Sequence, residues 1–363
     1  MKLVSFTKYS KSGASSRYRF FQYQNIFEGN GLVFDVHPFF NDKYLLHKYN
    51  KGYNRFIHII SAFIRRAFFI LTISAGSIVY IEYELVPFFP SFFERWLLWR
   101  GCKIILDYDD ALFHQYKSHP NSIIRYFLGH KIDTVMRLSH IVVTGNRYLF
   151  QYAQRAGANR VELIPTVIDV RRYKLKQHLA ESKNSVDSFI IGWIGSPTTA
   201  PYLQTIAPAL AEICQNGNTI LRLVGSGPIE IPGVPVEVIQ WSEETEVNEI
   251  CNFDVGIMPL PDDPWTRGKC GLKLIQYMGC AIPIIASPIG VNSEILSDGF
   301  NGYSATTNEQ WVIALRNLQI SKKARSLMGL NGRMRVEEHY CLHVTSSHWL
   351  RLLNSLNSDN NNI

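Results

Sequence analysis

Cysteine is sparse and scattered: Cys102, Cys214, Cys251, Cys270, Cys280 and Cys341 include no C-x-x-C pair. That excludes a legible zinc cage or disulfide framework and leaves the reduced thiols of a cytoplasmic protein as the expectation. No repeat of solenoid period is present, and low complexity is confined to the tail NSLNSDNNNI, which is expected to fray. The opening MKLVSFTKYSKSG has too short an apolar run for a secretory leader. A membrane span is missing too. Arg65 and Arg66 interrupt the apolar stretch 55–85, and the remainder from Ala67 to Ile81 contains Ser74, Gly76 and Ser77, short of the ~20 residues a crossing requires. This stretch reads as a helix to about Thr72, a turn and a strand at 78–82. Its two arginines belong either to a solvated helix face or to a peripheral contact with a membrane surface.

What is present is an ordinary globular balance, 46% apolar and 18% charged, in a 363-residue chain long enough for two domains. The net charge of +7 favours anionic partners without choosing among them. Short apolar runs alternate with helical patterns: 3–6, 32–36, 78–82, 103–107, 140–144 and 161–165, then, after a polar linker at 174–188, 189–195, 220–225, 236–241, 254–260, 281–287 and 301–305. Two such series predict an α/β protein of two Rossmann-like, doubly wound parallel-sheet domains. The expected division is 1–180, 181–338 and a final segment 339–363 that returns to the first domain.

Ligands of such sheets bind beyond the carboxyl ends of the strands, so the loops there are the candidates. The loop KYSKSGASSRYRF lacks the G-x-G-x-x-G fingerprint, but Gly13 admits a close ligand and Arg17 adds charge. Glu82 and Glu84 end the third strand; either can accept hydroxyls or pair with a cation. Asp107, Asp109 and Asp110 follow the fourth strand and repel one another unless a metal, cations or a hydroxyl-rich ligand relieves them; hydroxyl binding is the expectation. In GWIGSPTTAPYL, Ser196 or Thr198 can bond a phosphate or cap a helix.

The stretch WTRGKCGLKLIQYMGCAIPIIASPIGVN places Arg267, Lys269 and Lys273 where a helix begins. The positive end of a helix dipole disfavours cations unless an anion lies between them and the free N–H groups. Gly268, Lys269, Cys270 and Gly271 therefore form an expected diphosphate loop. On a helical wheel Leu272, Leu274, Ile275, Met278 and Gly279 share one side, while Lys273, Gln276 and Tyr277 fall on the other. Gln276 is expected at a ribose hydroxyl.

RGKCGLKLIQYMGCAIPIIASPIGVNSEI, with VELIPTVIDVRRY, LRLVGSG and EILSDGFNGYSA, resembles the retaining glycosyltransferases of family 4, which have the GT-B architecture. The resemblance implies an interdomain cleft, a nucleotide-sugar donor held mainly by the second domain, an acceptor held mainly by the first and no obligatory metal or cofactor. Where the family has E-G-F-G-L-x-x-x-E, this chain has Gly268 and Gln276 in place of the two glutamates. Asp262 or Asp263 is the expected substitute at the donor sugar, and Lys269 with Arg267 replaces the family's basic residue after the first strand of the second domain. Lys269 and Arg267 are thus expected to stabilise the leaving diphosphate. Asp109, Asp110 and Glu84 are expected to bind sugar or acceptor hydroxyls. The resemblance further suggests bacterial surface-polysaccharide synthesis, with a saccharide or lipid-linked acceptor at the inner face of the cytoplasmic membrane. Rival readings are a nucleotide-sugar epimerase, a phosphorylase and a catalytically inactive nucleotide-sugar-binding protein. Nucleic-acid binding ranks low because the aromatics sit inside strand and helix patterns.

Overall fold

In the computed structural model, which describes residues 2–42, 44, 55–175 and 188–358, every strand pairing is parallel. The first sheet contains β1 (Lys2–Tyr9), β2 (Val33–Phe40), β3 (Ile78–Glu82), β4 (Lys103–Tyr108), β5 (Ile141–Thr144) and β6 (Val161–Leu163). Their order is β2-β1-β3-β4-β5-β6. The second contains β7 (Phe189–Ile194), β8 (Thr219–Val224), β9 (Val236–Ile239), β10 (Val255–Met258), β11 (Ile284–Ala286) and β12 (Gly302–Ser304), in the order β12-β11-β10-β7-β8-β9. All twelve runs read from the sequence are strands, although β2 extends well beyond 36. The linker expected at 174–188 lies largely outside the described residues.

The chain forms two compact units. One comprises Met1–Thr166, Arg267–Cys270 and Thr345–Ile363; the other comprises Val167–Thr266 and Gly271–Val344. Segment 267–270 is thus packed with the first sheet, although its neighbours in sequence build the second.

The first core stacks Val4, Phe6, Val79, Ile81, Ile104 and Leu106 on one face of the sheet, as expected for parallel strands covered on both sides. On the other face Trp349, from the helix Leu342–Ser358, packs against Tyr23, Phe27 and Tyr80. The second core gathers Ile191, Trp193, Leu221, Leu223, Val255 and Ile257 with Trp311 and Leu315 from the helix Asn308–Ile320. A full Thr307/Gln310 capping box starts that helix.

Strand order locates the ligand-binding ends. In the first sheet the direction of winding reverses between β1 and β3, and in the second between β7 and β10.

Candidate functional site

At the first reversal, β1 and β3 are tied together by a carboxylate. Glu82 Oε2 accepts hydrogen bonds from the Lys8 backbone N–H (2.7 Å) and the Ser16 hydroxyl (2.6 Å). Glu82 is 2% exposed, and its Oε1 has no hydrogen-bond partner among the described residues. Burial, then the nearby Asp109, pushes its pKa up to about 8. Ser16 belongs to the short helix Ala14–Arg19, which starts at Gly13. A Cβ on Gly13 would lie 2.4 Å from Tyr9 Cβ; its smallness serves the turn.

The acidic run after β4 is resolved residue by residue. Asp107, beside Glu82 in the strand register, is buried against Arg19, which donates from Nε at 2.9 Å and from a terminal nitrogen at 3.1 Å. The Tyr80 hydroxyl also donates to it, at 2.5 Å. Burial raises the Asp107 pKa and Arg19 opposes the shift. Asp109 accepts from the Tyr83 hydroxyl. Tyr83 is a buried residue held at φ +64°, a conformation that L side chains adopt rarely and that often marks functional sites. Asp110 faces Lys269 at 3.5 Å; burial raises its pKa while Lys269 lowers it. Separate cations and hydroxyls thus relieve the mutual repulsion. Among the described residues no group of three or more His, Cys, Asp or Glu side chains is arranged to hold a metal ion.

Asn146 positions Lys269. Its Oδ1 caps the helix Arg147–Arg155 by accepting from Leu149 N–H (2.9 Å), and its Nδ2 donates to the carbonyls of Gly268 (2.9 Å) and Lys269 (3.0 Å). Gly268 lies so close to Ala111 that an added Cβ would be 2.5 Å from Ala111 Cβ. Arg267 is exposed, near Tyr148. Lys8, whose Nζ lies 5.5 Å from the Tyr83 ring centre, completes the group. Lys8, Asp109, Asp110 and Lys269, half-buried above Glu82 and Tyr83, form a polar, mixed-charge surface suited to binding hydroxyls. Lys8, Tyr83 and Asn146 escaped sequence reasoning; position at a strand end was the only signal that could have singled out the first two.

At the second reversal, between β7 and β10, Lys273 places its Nζ 4.9 Å from the Trp193 ring centre. Ser196 and Thr198 hydroxyls are 2.7 Å apart. Gly271, at φ +67°, precedes the helix Leu272–Gly279, and its close approach to Ile295 leaves no room for a side chain. Ser287, just past β11, donates its backbone N–H to the Met258 carbonyl (3.2 Å); its Oγ accepts from Leu260 N–H (3.0 Å), and its carbonyl accepts from Asn292 (3.1 Å). In the loop after β10, Asp263 accepts from Thr266 N–H (2.8 Å), while Asp262 is exposed.

Several expected roles are corrected by these placements. Glu84 does not face open solvent: it is buried in an ion pair with Lys131 and accepts from Tyr116 (2.8 Å). Cys270 is packed into the first core beside Gly145, and burial drives its thiol pKa up; it is a packing residue. Arg17 is buried with its guanidinium over the Tyr18 ring. Gln276, expected at a ribose hydroxyl, and Tyr277, placed with it on the polar side of the wheel, are both buried. Gln276 donates to the Tyr173 hydroxyl (3.1 Å), and the Tyr277 hydroxyl accepts from Ile194 N–H (2.9 Å). Arg66 is not on a solvated face: it is buried and donates to the carbonyls of Thr7 (2.7 Å) and His37 (3.1 Å), whereas Arg65, half-buried, donates to that of Phe39 (2.8 Å) and still borders the open groove along the helix.

Two doubly wound parallel sheets of six strands each place the chain among two-domain Rossmann-like proteins of the GT-B architecture. Residues 188–319 match the family model described as Glycosyl transferases group 1. The chain is 20% identical over 279 residues to N-acetyl-alpha-D-glucosaminyl L-malate synthase of Bacillus anthracis, covering 72% of this chain and 70% of that protein. Among solved structures it is similar to a sucrose-phosphate synthase from Thermosynechococcus elongatus, with 14% identity, a TM-score of 0.71 and coverage of 99% of this chain and 100% of the other. Anabaena HepE in complex with UDP-glucose is a further likeness, at 13% identity, a TM-score of 0.62 and coverage of 98% and 100%. At these identities the structural likeness is one of fold.

Proposed function

We propose that the protein is a glycosyltransferase that moves a sugar from a nucleoside-diphosphate sugar to an acceptor hydroxyl with retention at the anomeric carbon. The observation that carries this reading is Lys269, set beside Asp110 at the carboxyl end of a parallel sheet and held there by Asn146. Half-exposed carboxylates next to a cation bind neutral hydroxyls, and the cation is available to developing negative charge.

In this reading the nucleotide sits at the β7/β10 reversal, near Ser196, Gly271 and Lys273, and the acceptor at the β1/β3 reversal. Asp109, Asp110 and Lys8 orient the acceptor hydroxyls. Breaking the glycosidic bond places negative charge on the leaving diphosphate, and Lys269 and Arg267 stabilise it electrostatically. Asp262 meets the donor sugar. No cofactor is required. UDP-sugars are the first donors to test, since the similar HepE was crystallised with UDP-glucose. The acceptor is a saccharide or lipid-linked saccharide of a bacterial surface-polysaccharide pathway, acted on at the inner face of the cytoplasmic membrane.

A second reading is favoured by one observation: glycine and a buried glutamine stand where the resembling family carries glutamates. It makes the chain a nucleotide-sugar epimerase or an inactive nucleotide-sugar-binding protein. Melting curves with UDP, GDP, TDP and their sugars, followed by assay of nucleotide release with and without candidate acceptors, separate the readings. A transferase is stabilised by one nucleoside diphosphate and releases it only with an acceptor. An epimerase converts the sugar without one. The absence of any nucleotide-dependent shift at millimolar concentration rejects both.

A further inference from the structure

In the second unit the short helix Glu246–Cys251 packs against the helix Leu272–Gly279. Cys251 is the last residue of the first helix, and Cys280 caps the second. The Cys280 Sγ lies 4.0 Å from the Val247 carbonyl, one helical turn before Cys251. Helical side chains lean back over the turn that precedes them, so both sulfurs lie over that turn. They share a hydrogen bond. Cys251 Sγ also reaches the Lys174 carbonyl, at 3.5 Å. The surroundings keep the two cysteines together. Arg333 donates to the carbonyl of Gly279, beside Cys280, and to that of Tyr173 (2.6 Å), beside Lys174.

The two thiols differ in access. Cys280 is fully buried, whereas Cys251 is partly exposed. The hydrogen bond with Cys251, then burial, holds the Cys280 thiol well above the ordinary range. Cys280 therefore keeps its proton, and Cys251 is the thiol that a dissolved oxidant reaches. We infer that Cys251 and Cys280 form a reversible redox site, which a peroxide closes into an intramolecular disulfide tying the end of the helix Leu272–Gly279 to its neighbour. The Cys251 sulfur attacks the peroxide and breaks its O–O bond, becoming a sulfenic acid as the first water leaves. Cys280 then gives up its proton and displaces the sulfenic hydroxyl as the second water. Two thiols are oxidised and one peroxide is reduced. A small dithiol reverses the step by exchange. Because the tied helix begins at Gly271 and Lys273, any effect on nucleotide binding rests on the proposed function; the disulfide chemistry does not.

The test treats the reduced, native full chain with hydrogen peroxide, blocks the remaining thiols and maps the digest by mass spectrometry without reductant. The expected result is a mass loss of about 2 Da, a peptide linking Cys251 to Cys280 and the loss of two titratable thiols, all restored by dithiothreitol. Cys251→Ser should abolish the link and leave residue 280 reduced. Cys280→Ser should leave Cys251 as a sulfenic acid that dimedone traps. Retention of all six thiols by the wild type overturns the inference. So does a wild-type Cys251 that is trapped by dimedone without linking to Cys280, or that links to a second chain. Nucleotide-induced melting shifts of the reduced protein report on the donor reading separately.

Discussion

Lys269 Nζ stands 3.5 Å from Asp110 Oδ1, a pairing between a residue of the fourth strand's loop and one that lies 159 positions later in sequence. The proposed function assigns Lys269 two roles that can be separated by kinetics. Under that reading, it acts on turnover as the cation for a leaving diphosphate and orders the acceptor side as the partner of Asp110.

Replacing Lys269 by alanine is expected to lower kcat by about 10²–10³, the usual cost of losing one preorganised electrostatic group. Asp110→Asn is expected to raise the acceptor KM with a smaller change in kcat. Steady-state measurement of nucleotide release provides both numbers. A Lys269→Ala enzyme with undiminished kcat would falsify the electrostatic role.

Glu82 predicts a pH dependence of stability. Its folded pKa of about 8 exceeds the ordinary 4.5. Between these values the folded protein retains a proton that the unfolded chain has released. Stability contributed by this residue is therefore complete below pH 4.5 and is lost as pH rises toward 8, by up to about 1.4 kcal/mol per pH unit. Glu82→Gln removes the titration while still accepting from Lys8 and Ser16. Melting temperatures of the two proteins from about pH 5 to 8 should diverge in favour of the glutamine variant. Parallel curves would show that Glu82 stays ionised in the fold.

The buried pair Glu84–Lys131 is expected to be structural. Lys131→Met alone leaves an uncompensated carboxylate and should cost about 3–5 kcal/mol in urea unfolding. Combining it with Glu84→Leu should cost less than the sum of the single changes, because no orphaned charge remains. Strict additivity of the two would contradict the pairing.

Gly268 bears on the missing family glutamate. Because its backbone abuts Ala111, Gly268→Glu is expected to displace the Lys269 loop, lowering both melting temperature and activity. A more active Gly268→Glu enzyme would show that the loop has room for a side chain and that only the carboxylate is lacking.

Strand positions were legible because runs buried on both faces must be apolar along their length, and twelve such runs bounded by turns leave few arrangements. The partners of polar side chains were not. Glu84 meets a lysine 47 positions away, and Asp107 an arginine 88 positions before it; no local pattern encodes either. The helical wheel of Leu272–Gly279 failed for a different reason. The helix Lys322–His339 covers Met278 on the apolar side through Gly332. The opposite side of Leu272–Gly279 meets the sheet, where Gly256 of β10 abuts the Tyr277 ring, and Tyr173, which abuts Gly279 and bonds Gln276. Its nominally polar side is therefore closed, and Gln276 and Tyr277 serve internal hydrogen bonds. Arg65 and Arg66 likewise read as surface charge because carbonyl acceptors at the edge of a sheet leave no mark in sequence.

None of the six cysteines forms a disulfide, and all but Cys251 are buried. A maleimide dye applied to the native protein would consequently react first at Cys251. The molecule thus brings its own attachment point for fluorescence on the unit that contains β7 and β10, with no engineered thiol required.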